Sequence, residues 1–456
     1  MKTEYDVIVI GAGPAGSVAA KTAAEKGCST LLIEKRQEIG VPVRCAEGTS
    51  KTELMKFVEI DPAFVCAELH TAVVHAPDGT SFSITTKMSG IDGEAGIILD
   101  RKIFDRHLVK SAADAGADVY VKTPAADLIF ENETVETNKT DETNKTDETN
   151  NTDETNKTDE TNKTDETNKT DETNKTDETN KTDETNGAVC GVVLNHLGEE
   201  KRIRSKIVIA ADGIESKIAR RAGIDTTLKL KDIESGAQFL LYDDSFDQTK
   251  CEIFIGKEIA PGGYVWIFPK GNKTANVGIG IAGNSEGKRQ AIDYLEEFVA
   301  EKFPNAQILG TFFGGIPSSG GLRKITADGL MLAGDAAHQT DPITGAGIRY
   351  ATYAGEMAGR TAAAAVAAGD CSDRFLKKYQ DEWDQTLGKT IRRNYKIKEA
   401  YISWTDEDMN HIAQMAAGLP LEDFELKEAI IAVLKSDKKL MWKMKGVYFD
   451  LLKSVI

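Results

Sequence analysis

The sequence lacks long hydrophobic runs and paired cysteines. Nowhere in its 456 residues does a window approach the roughly 18 consecutive apolar residues that a membrane-spanning helix requires. Its six cysteines stand apart, with no CxxC pair and no spacing typical of metal ligands. These absences argue against a membrane-spanning protein, a disulfide framework and a metal site, and they predict a cytoplasmic protein with free thiols.

An excess of positive charge is also missing. The formal net charge is −17, and nucleic-acid binding needs a clustered basic face, so no nucleic-acid partner is predicted.

About half of this charge comes from residues 137–184, where the hexad TNKTDE recurs eight times with Asn151 replacing one lysine. The repeat has no aromatic or aliphatic side chain to bury, which predicts a disordered insertion over 137–186. Its flanks, AADLIF and AVCGVVL, alternate like the strands of a hairpin, so the insertion is either a functionless expansion or a tether at the hairpin tip.

The first segment that carries chemistry is DVIVIGAGPAGSVAAKTAAEKG, an apolar strand followed by a glycine turn and an alanine-rich helix. Gly11, Gly13 and Gly16, with Ala15 between them, form the GxGxxG pattern, in which the backbone approaches a pyrophosphate at the start of the helix. A second strand, STLLIEK, brings Glu34 to a position 18 residues after Gly16, close to the spacing of a ribose-binding acid. Together these features predict a site for an adenine dinucleotide.

Two later segments have the same strand-and-turn character. In residues 207–223 an apolar strand ends at Asp212. In residues 329–359 a strand is followed by Asp335 and then by a proline- and glycine-rich loop that begins a long helix. In this order the three segments resemble the FAD-binding fold shared by para-hydroxybenzoate hydroxylase and its relatives. The resemblance implies FAD as the cofactor, with Asp335 on a ribityl hydroxyl, the N-terminus of the long helix beside the flavin and an arginine close to it. The residues that it assigns to FAD in this way are Arg101, Ala125, Asp212, Asp335, Gly347 and Ile348.

The fold class that follows is α/β, with a discontinuous Rossmann-like FAD-binding domain, an antiparallel-sheet substrate domain and a C-terminal helical region. The predicted FAD-binding domain comprises residues 1–70, 98–136, 187–225 and 325–370. The predicted substrate domain comprises 71–97 and 226–324, and the helical region 371–456.

The stretch PGGYVWIFPKG spaces three aromatic residues two apart, so that Tyr264, Trp266 and Phe268 share one face of a strand that ends at Pro269. Such a face suits a long apolar substrate, and a face packed on the core is an equally weighted alternative.

Together with LLIEKRQEIGVPVRCAEG and GDAAHQTDPITGAGI, this stretch resembles the archaeal geranylgeranyl reductases. The resemblance implies an FAD enzyme that saturates isoprenoid double bonds of archaeal glycerophospholipid precursors. It places Tyr264, Trp266, Phe268 and Pro269 at the substrate, and the loop with Arg44, Cys45, Ala46 and Gly48 against the isoalloxazine. The alternatives are an FAD-dependent monooxygenase or halogenase that uses NAD(P)H and oxygen, and a non-catalytic lipid-binding or scaffold protein.

Reduction of an isolated alkene requires an acid as well as a hydride, because no neighbouring carbonyl accepts charge. Cys45 is the candidate catalytic residue, although a thiol with a pKa of ~8.5 is too weak to protonate an alkene unaided. A water held between Cys45 and the reduced flavin is the alternative.

The expected partners are an isoprenoid phospholipid and a separate electron donor, for which ferredoxin, reduced deazaflavin and NADPH all stay open. A lipid substrate also requires contact with a membrane surface. Residues 439–456 form an apolar helical stripe, which is interpreted either as a peripheral anchor at the inner face of the membrane or as a helix docked on its own domain.

Overall fold

The computed structural model describes residues 1–85, 96–132, 187–285, 289–418 and Lys435. The predicted disordered repeat and the apolar stripe over 439–456 lie outside these residues. The described strands, in chain order, are β1 (Glu4–Ile10), β2 (Thr30–Ile33), β3 (Gly48–Thr49), β4 (Val65–Leu69), β5 (Thr71–His75), β6 (Ser81–Thr85), β7 (Gly96–Leu99), β8 (Asp118–Tyr120), β9 (Ala125–Phe130), β10 (Val189–His196), β11 (Glu199–Ala210), β12 (Ile233–Tyr242), β13 (Lys250–Ile255), β14 (Tyr264–Gly271), β15 (Thr274–Ala282), β16 (Gln307–Pro317), β17 (Thr326–Ala327) and β18 (Leu330–Leu332).

The helices lie between these strands and after the last of them. They are α1 (Pro14–Glu25), α2 (Lys51–Leu54), α3 (Arg101–Asp114), α4 (Ile218–Arg221), α5 (Ala291–Lys302), α6 (Ile348–Ala368), α7 (Asp373–Gln385), α8 (Leu387–Ile402) and α9 (Asp406–Ala417). Short 3-10 turns cover Pro62–Phe64, Leu230–Asp232 and Gly334–Ala337. The fold is therefore α/β with helices at its C-terminal side, as predicted.

The larger sheet has eight strands, in the order β17-β18-β11-β1-β2-β8, with the β9–β10 pair attached to β11. Its central strands are parallel, and Ile10 is aligned with Ile33 and with Ala210, which is in turn aligned with Leu332. The C-terminal ends of β1, β2, β11 and β18 therefore lie at the same edge of the sheet. The glycine turn, Glu34, Asp212 and Asp335 follow these strands, so segments far apart in sequence converge at that edge.

The predicted hairpin around the repeat is confirmed by antiparallel pairing of β9 with β10, in which Leu128 lies opposite Val192. Both strands contribute to the main apolar core, where Leu128 and Val192 are buried.

The second large sheet has seven strands, in the order β16-β12-β15-β14-β13-β5-β6, and every pairing except β13 with β5 is antiparallel. All seven strands fall within the ranges 71–97 and 226–324, which the sequence assigns to the substrate domain. One face packs on α5 through Val265, Ile279 and Leu295. A third, smaller sheet has three strands in the order β3-β7-β4, and both of its pairings are antiparallel.

Candidate functional site

A cavity of about 1010 Å³ connects the edge of the eight-stranded sheet with one face of the seven-stranded sheet. Every residue predicted for the cofactor or the substrate lines it, except Gly16 and Pro269. A Cβ on Gly16 would lie 1.8 Å from the backbone oxygen of Gly11, so this glycine lets the turn pack on itself. Pro269 does not line the cavity, because the period of two along β14 places it on the opposite face of the strand. Its partner on β15 is Ala275, which belongs to the apolar core.

The glycine turn is built for close approach. Gly11 has φ +99°, and a Cβ there would lie 2.4 Å from the backbone oxygen of Ala211. At Gly13 a Cβ would meet nothing within 4 Å, so the backbone faces open space at the cavity wall. The turn thus presents backbone rather than side chains to a ligand.

Three acids lie where the parallel strands end. Glu34 accepts hydrogen bonds from the backbone N–H groups of Ala12 at 3.0 Å and Arg36 at 2.9 Å, which ties the end of β2 to the glycine turn. Asp335 accepts a hydrogen bond from Thr340 Oγ1 at 2.7 Å, and burial raises the pKa of its carboxyl. Burial also raises the pKa of Asp212. Within the described residues the buried Oδ1 atom of Asp212 has no hydrogen-bond partner. It could therefore accept a hydrogen bond from a bound ligand.

The ends of two helices complete a cradle that fits FAD. Helix α1 follows Gly13 and helix α6 follows Gly347, and neither helix start has a side-chain cap. Both positions border the cavity, so their free N–H groups and the positive ends of the helix dipoles could bind negatively charged or electron-rich oxygen atoms, which FAD carries on its pyrophosphate and its flavin ring. Within the described ranges, no cluster of His, Cys, Asp or Glu could hold a metal ion.

Cys45 and Arg101 meet the cavity from neighbouring segments. Arg101, the first residue of α3, is mostly buried and forms a bidentate pair with Asp105, with N–O distances of 2.7 and 2.9 Å. Burial raises the pKa of the Cys45 thiol, and the positive charge of Arg101 opposes this increase. The thiol is therefore protonated at neutral pH and is a weak acid.

The three aromatic residues of β14 line the cavity, while Val265 and Ile267 between them belong to the core. Trp266 donates a hydrogen bond from Nε1 to Gln238 Oε1 at 3.0 Å, and Gln238 Nε2 donates to the backbone oxygen of Cys45 at 3.3 Å. One amide side chain thus links the aromatic face to the cysteine loop.

The loop that opens α6 is held by Asp341, which the motifs did not single out. Its Oδ1 atom accepts hydrogen bonds from the backbone N–H groups of Ile343 and Thr344, and its Oδ2 atom accepts from the hydroxyl of Tyr350. The hydroxyl of Tyr264 donates to the backbone oxygen of Thr344, so the aromatic strand also touches this loop. An Asp followed by a proline-glycine turn is the sequence signal that could have identified Asp341.

Comparisons with known proteins agree with this architecture. Residues 4–153 match the FAD binding domain family, and residues 232–316 match the geranylgeranyl reductase catalytic domain family. The fold, the cradle and the first of these matches define an FAD-dependent oxidoreductase.

Curated relatives narrow the class further. The chain is 44% identical to digeranylgeranylglycerophospholipid reductase 2 of Methanococcoides burtonii over 456 residues, covering 100% of this chain and 98% of the relative. It is 45% identical to the digeranylgeranylglycerophospholipid reductase of Methanosarcina acetivorans, covering 100% of this chain and 99% of the relative. The chain therefore belongs to the digeranylgeranylglycerophospholipid reductase family and is an FAD-dependent reductase.

Among solved structures, a geranylgeranyl bacteriochlorophyll reductase-like protein from Thermoplasma acidophilum is 31% identical, with a TM-score of 0.81 and coverage of 97% of this chain and 99% of that chain. The flavin-dependent brominase Bmp2 is 18% identical with a TM-score of 0.62, covering 96% of this chain and 100% of its own, and this likeness shows the fold alone.

Proposed function

We propose that the chain saturates the isoprenoid C=C bonds of geranylgeranyl chains in archaeal glycerophospholipid precursors, in membrane lipid biosynthesis. The observation that carries this proposal is the single cavity that holds both the FAD cradle and the aromatic face of Tyr264, Trp266 and Phe268. An extended apolar chain can lie on this face while one of its double bonds reaches the cysteine loop.

Each part of the site has a role in this reaction. When bound, reduced FAD supplies a hydride to one alkene carbon, and a proton must reach the other, so that each bond gains two hydrogens. Asp335 and the start of α6 hold the cofactor, and the aromatic strand positions the alkene. Gln238 forms hydrogen bonds with both Trp266 and the Cys45 backbone. It therefore fixes the distance between the substrate's isoprenoid chain on the aromatic strand and the cysteine loop.

Cys45 is our candidate for placing the proton. Its thiol keeps its proton near neutral pH, because burial raises its pKa, and it lines the cavity. A water molecule between this thiol and the cofactor is the alternative relay, since a thiol is a poor acid toward an alkene.

We propose that electrons reach the cofactor from a separate donor, with ferredoxin, reduced deazaflavin and NADPH as the alternatives. Anaerobic bleaching of the flavin absorbance by each donor in turn, followed by reoxidation with the lipid, distinguishes them. A donor that bleaches the flavin at a rate below the turnover rate is excluded.

We further propose that the protein works at a lipid surface. Within the described ranges, no helix has the length and apolar composition to cross a membrane. Support for a peripheral contact comes from the edge strand β16, where Phe313 lines the cavity and is 58% exposed, and where Ile308 and Leu309 are also exposed. A bilayer that meets this strand could deliver a chain directly to the cavity.

Co-sedimentation with vesicles of anionic isoprenoid lipid tests this contact. We expect Phe313→Asp combined with Ile308→Asp to reduce binding, while Leu197→Asp, at an exposed leucine in the β10–β11 turn, leaves it unchanged. Equal binding by both variants would remove β16 from the proposal.

The decisive experiment on function is an anaerobic incubation of chemically reduced holoenzyme with a geranylgeranyl glycerophospholipid, read by mass spectrometry. We expect gains of two hydrogens per reduced bond. Absence of such gains, together with substrate-stimulated oxygen consumption in a separate aerobic assay with NAD(P)H, would instead support a monooxygenase or halogenase.

A further inference from the structure

Glu47 is a buried carboxylate at the cavity that the sequence motifs leave without a role. Its Oε1 atom accepts a hydrogen bond from the backbone N–H of Arg101 at 2.9 Å. Its Oε2 atom accepts hydrogen bonds from Lys270 Nζ at 2.7 Å and Asn276 Nδ2 at 2.6 Å. Arg101 begins α3, whereas Lys270 and Asn276 lie on β14 and β15, so one carboxylate connects the cysteine loop to α3 and to the seven-stranded sheet.

The backbone of Glu47 adopts the left-handed conformation, with φ +74°. A non-glycine residue is strained there and stays in place only where its surroundings hold it. The holding contacts are the three side-chain hydrogen bonds and a backbone bond from Leu99 N–H to the Glu47 oxygen at 2.9 Å. Lys270 Nζ also donates to the Leu99 oxygen at 2.6 Å, so the same lysine bonds both residues that this backbone bond joins.

This conformation determines the environment of the thiol. The backbone N–H of Glu47 donates a hydrogen bond to Cys45 Sγ at 3.2 Å. The backbone oxygens of Cys45 and Ala46 accept hydrogen bonds from Gln238 and Asn276, at 3.3 and 3.4 Å. The loop is thus fixed to the strands beside the aromatic face, and Asn276 bonds it twice.

The buried charges of Glu47 and Lys270 also contribute to this arrangement. The side chains of Glu47 and Lys270 are 5% and 11% exposed, and a buried ion pair that loses one partner leaves a costly unpaired charge. Burial raises the pKa of the Cys45 thiol; the charge of Arg101 and the Glu47 N–H oppose this, while the Glu47 carboxylate adds to it. Glu47 therefore acts on the thiol through both geometry and charge.

We propose that Glu47 is a positioning residue whose carboxylate fixes the left-handed turn that holds the Cys45 thiol at the cavity wall, in register with the aromatic strand. The inference rests on the proposed function, because it assigns the thiol a place beside the reacting alkene. Glu47 itself does not touch the substrate in this proposal; it sets where Cys45 stands.

The test compares FAD-loaded wild-type protein with Glu47→Gln and Glu47→Gly. The glutamine keeps the side-chain shape without the charge, and the glycine accepts a positive φ without any carboxylate. The readout is the rate of Cys45 alkylation by N-ethylmaleimide, measured by mass spectrometry on the Cys45 peptide with the Cys371 peptide as internal reference. Glu68→Gln, which removes an exposed carboxylate paired with Lys51 at 2.8 Å, is the matched control.

We expect both Glu47 variants to speed alkylation by about tenfold or more, because the released loop exposes the thiol, while Glu68→Gln matches wild type. Turnover with the lipid should fall by about tenfold in kcat with KM changed by less than about threefold. Alkylation at the wild-type rate in both folded variants would overturn the proposal. Since alkylation needs no lipid, this readout stays valid even if the protein fails to reduce the proposed substrate.

A second variant covers the case in which changes at Glu47 prevent folding. Asn276→Ala removes one neutral donor to the carboxylate and one to the loop backbone, and we expect alkylation about threefold faster than in wild type. An unchanged rate in folded Asn276→Ala would then overturn the proposal.

Discussion

The indole of Trp266 packs against Gly278, its direct partner on the neighbouring strand, and a Cβ on Gly278 would stand 2.3 Å from the indole ring. The glycine leaves the space that lets the indole reach Gln238 on the next strand. We expect Gly278→Ala to displace Trp266 at a cost of about 1–3 kcal/mol in stability. The KM for the lipid should rise severalfold while the FAD absorption spectrum stays unchanged. A variant with wild-type KM would show that the position of this indole does not matter for the substrate.

The glycine turn offers a second prediction. Gly11→Ala must place a Cβ against the backbone oxygen of Ala211 at a positive φ, so the turn has to open. We expect FAD affinity, measured by fluorescence titration, to fall at least about tenfold, or roughly 1.4 kcal/mol. Gly116→Ala is the matched control, because Gly116 has φ +103° with open space around its Cβ position and lies outside the cavity lining. It should cost about 1 kcal/mol of stability without loss of FAD.

Asp335 should make the stability of the FAD-free protein pH-dependent. Burial raises the pKa of its carboxyl in the folded state, so the folded protein holds a proton that the unfolded chain releases at pH ~3.9. Its contribution to stability is therefore complete below that pH and is lost as the pH rises through the raised value. We expect Asp335→Asn to gain thermal stability over wild type progressively toward neutral pH, and to bind FAD more weakly.

Differential scanning fluorimetry of both proteins from pH 4.5 to 7.5 measures this difference. Asp244→Asn, a change at an exposed ion pair with Lys273, is the control and should follow wild type. A constant offset between Asp335→Asn and wild type at every pH would contradict the assignment.

Cys45 provides the test of chemistry against packing. We expect Cys45→Ala to retain FAD, since the loop is held by Gln238 and Asn276 through its backbone, and to lose about tenfold or more in kcat. The kcat of Cys45→Ser should fall between those of wild type and Cys45→Ala, because a hydroxyl can still bind a water molecule. Full turnover in the alanine variant would reduce the sulfur to a packing role.

Removal of residues 137–184 should leave activity intact. The strands on either side pair with each other, and Glu131 N–H donates to the Ala188 oxygen at 3.0 Å. A short glycine-containing turn in place of the repeat should therefore preserve kcat, KM and FAD content in a matched assay. Lost turnover in a deletion variant that keeps its FAD would assign the repeat a function, such as a tether.

Local patterns account for most of what the sequence predicts here. Gly11, Glu34 and Asp335 each follow a strand at a short spacing, and the parallel order of β2, β1, β11 and β18 then brings them to one edge. The period of two along β14 likewise predicts the shared face of Tyr264, Trp266 and Phe268, while burial of the intervening residues is a consequence of α5.

The contacts that fix the cysteine loop could not be predicted in this way. Gln238 lies 193 residues after Cys45, and Asn276 lies 229 residues after Glu47. Their meeting depends on the register of three antiparallel strands and on how those strands face the loop, and neither is encoded in a local pattern. A glutamate between an alanine and a glycine gives no sign that its carboxylate is buried.

The bond between Glu131 and Ala188 also has a practical consequence. Because the chain ends that flank the repeat are already held side by side, a foreign sequence whose own termini lie close together could be inserted there without straining the hairpin. An epitope or a fluorescent reporter at this position would label the enzyme internally and leave both chain termini free. The position could also be used to follow the protein to a lipid surface.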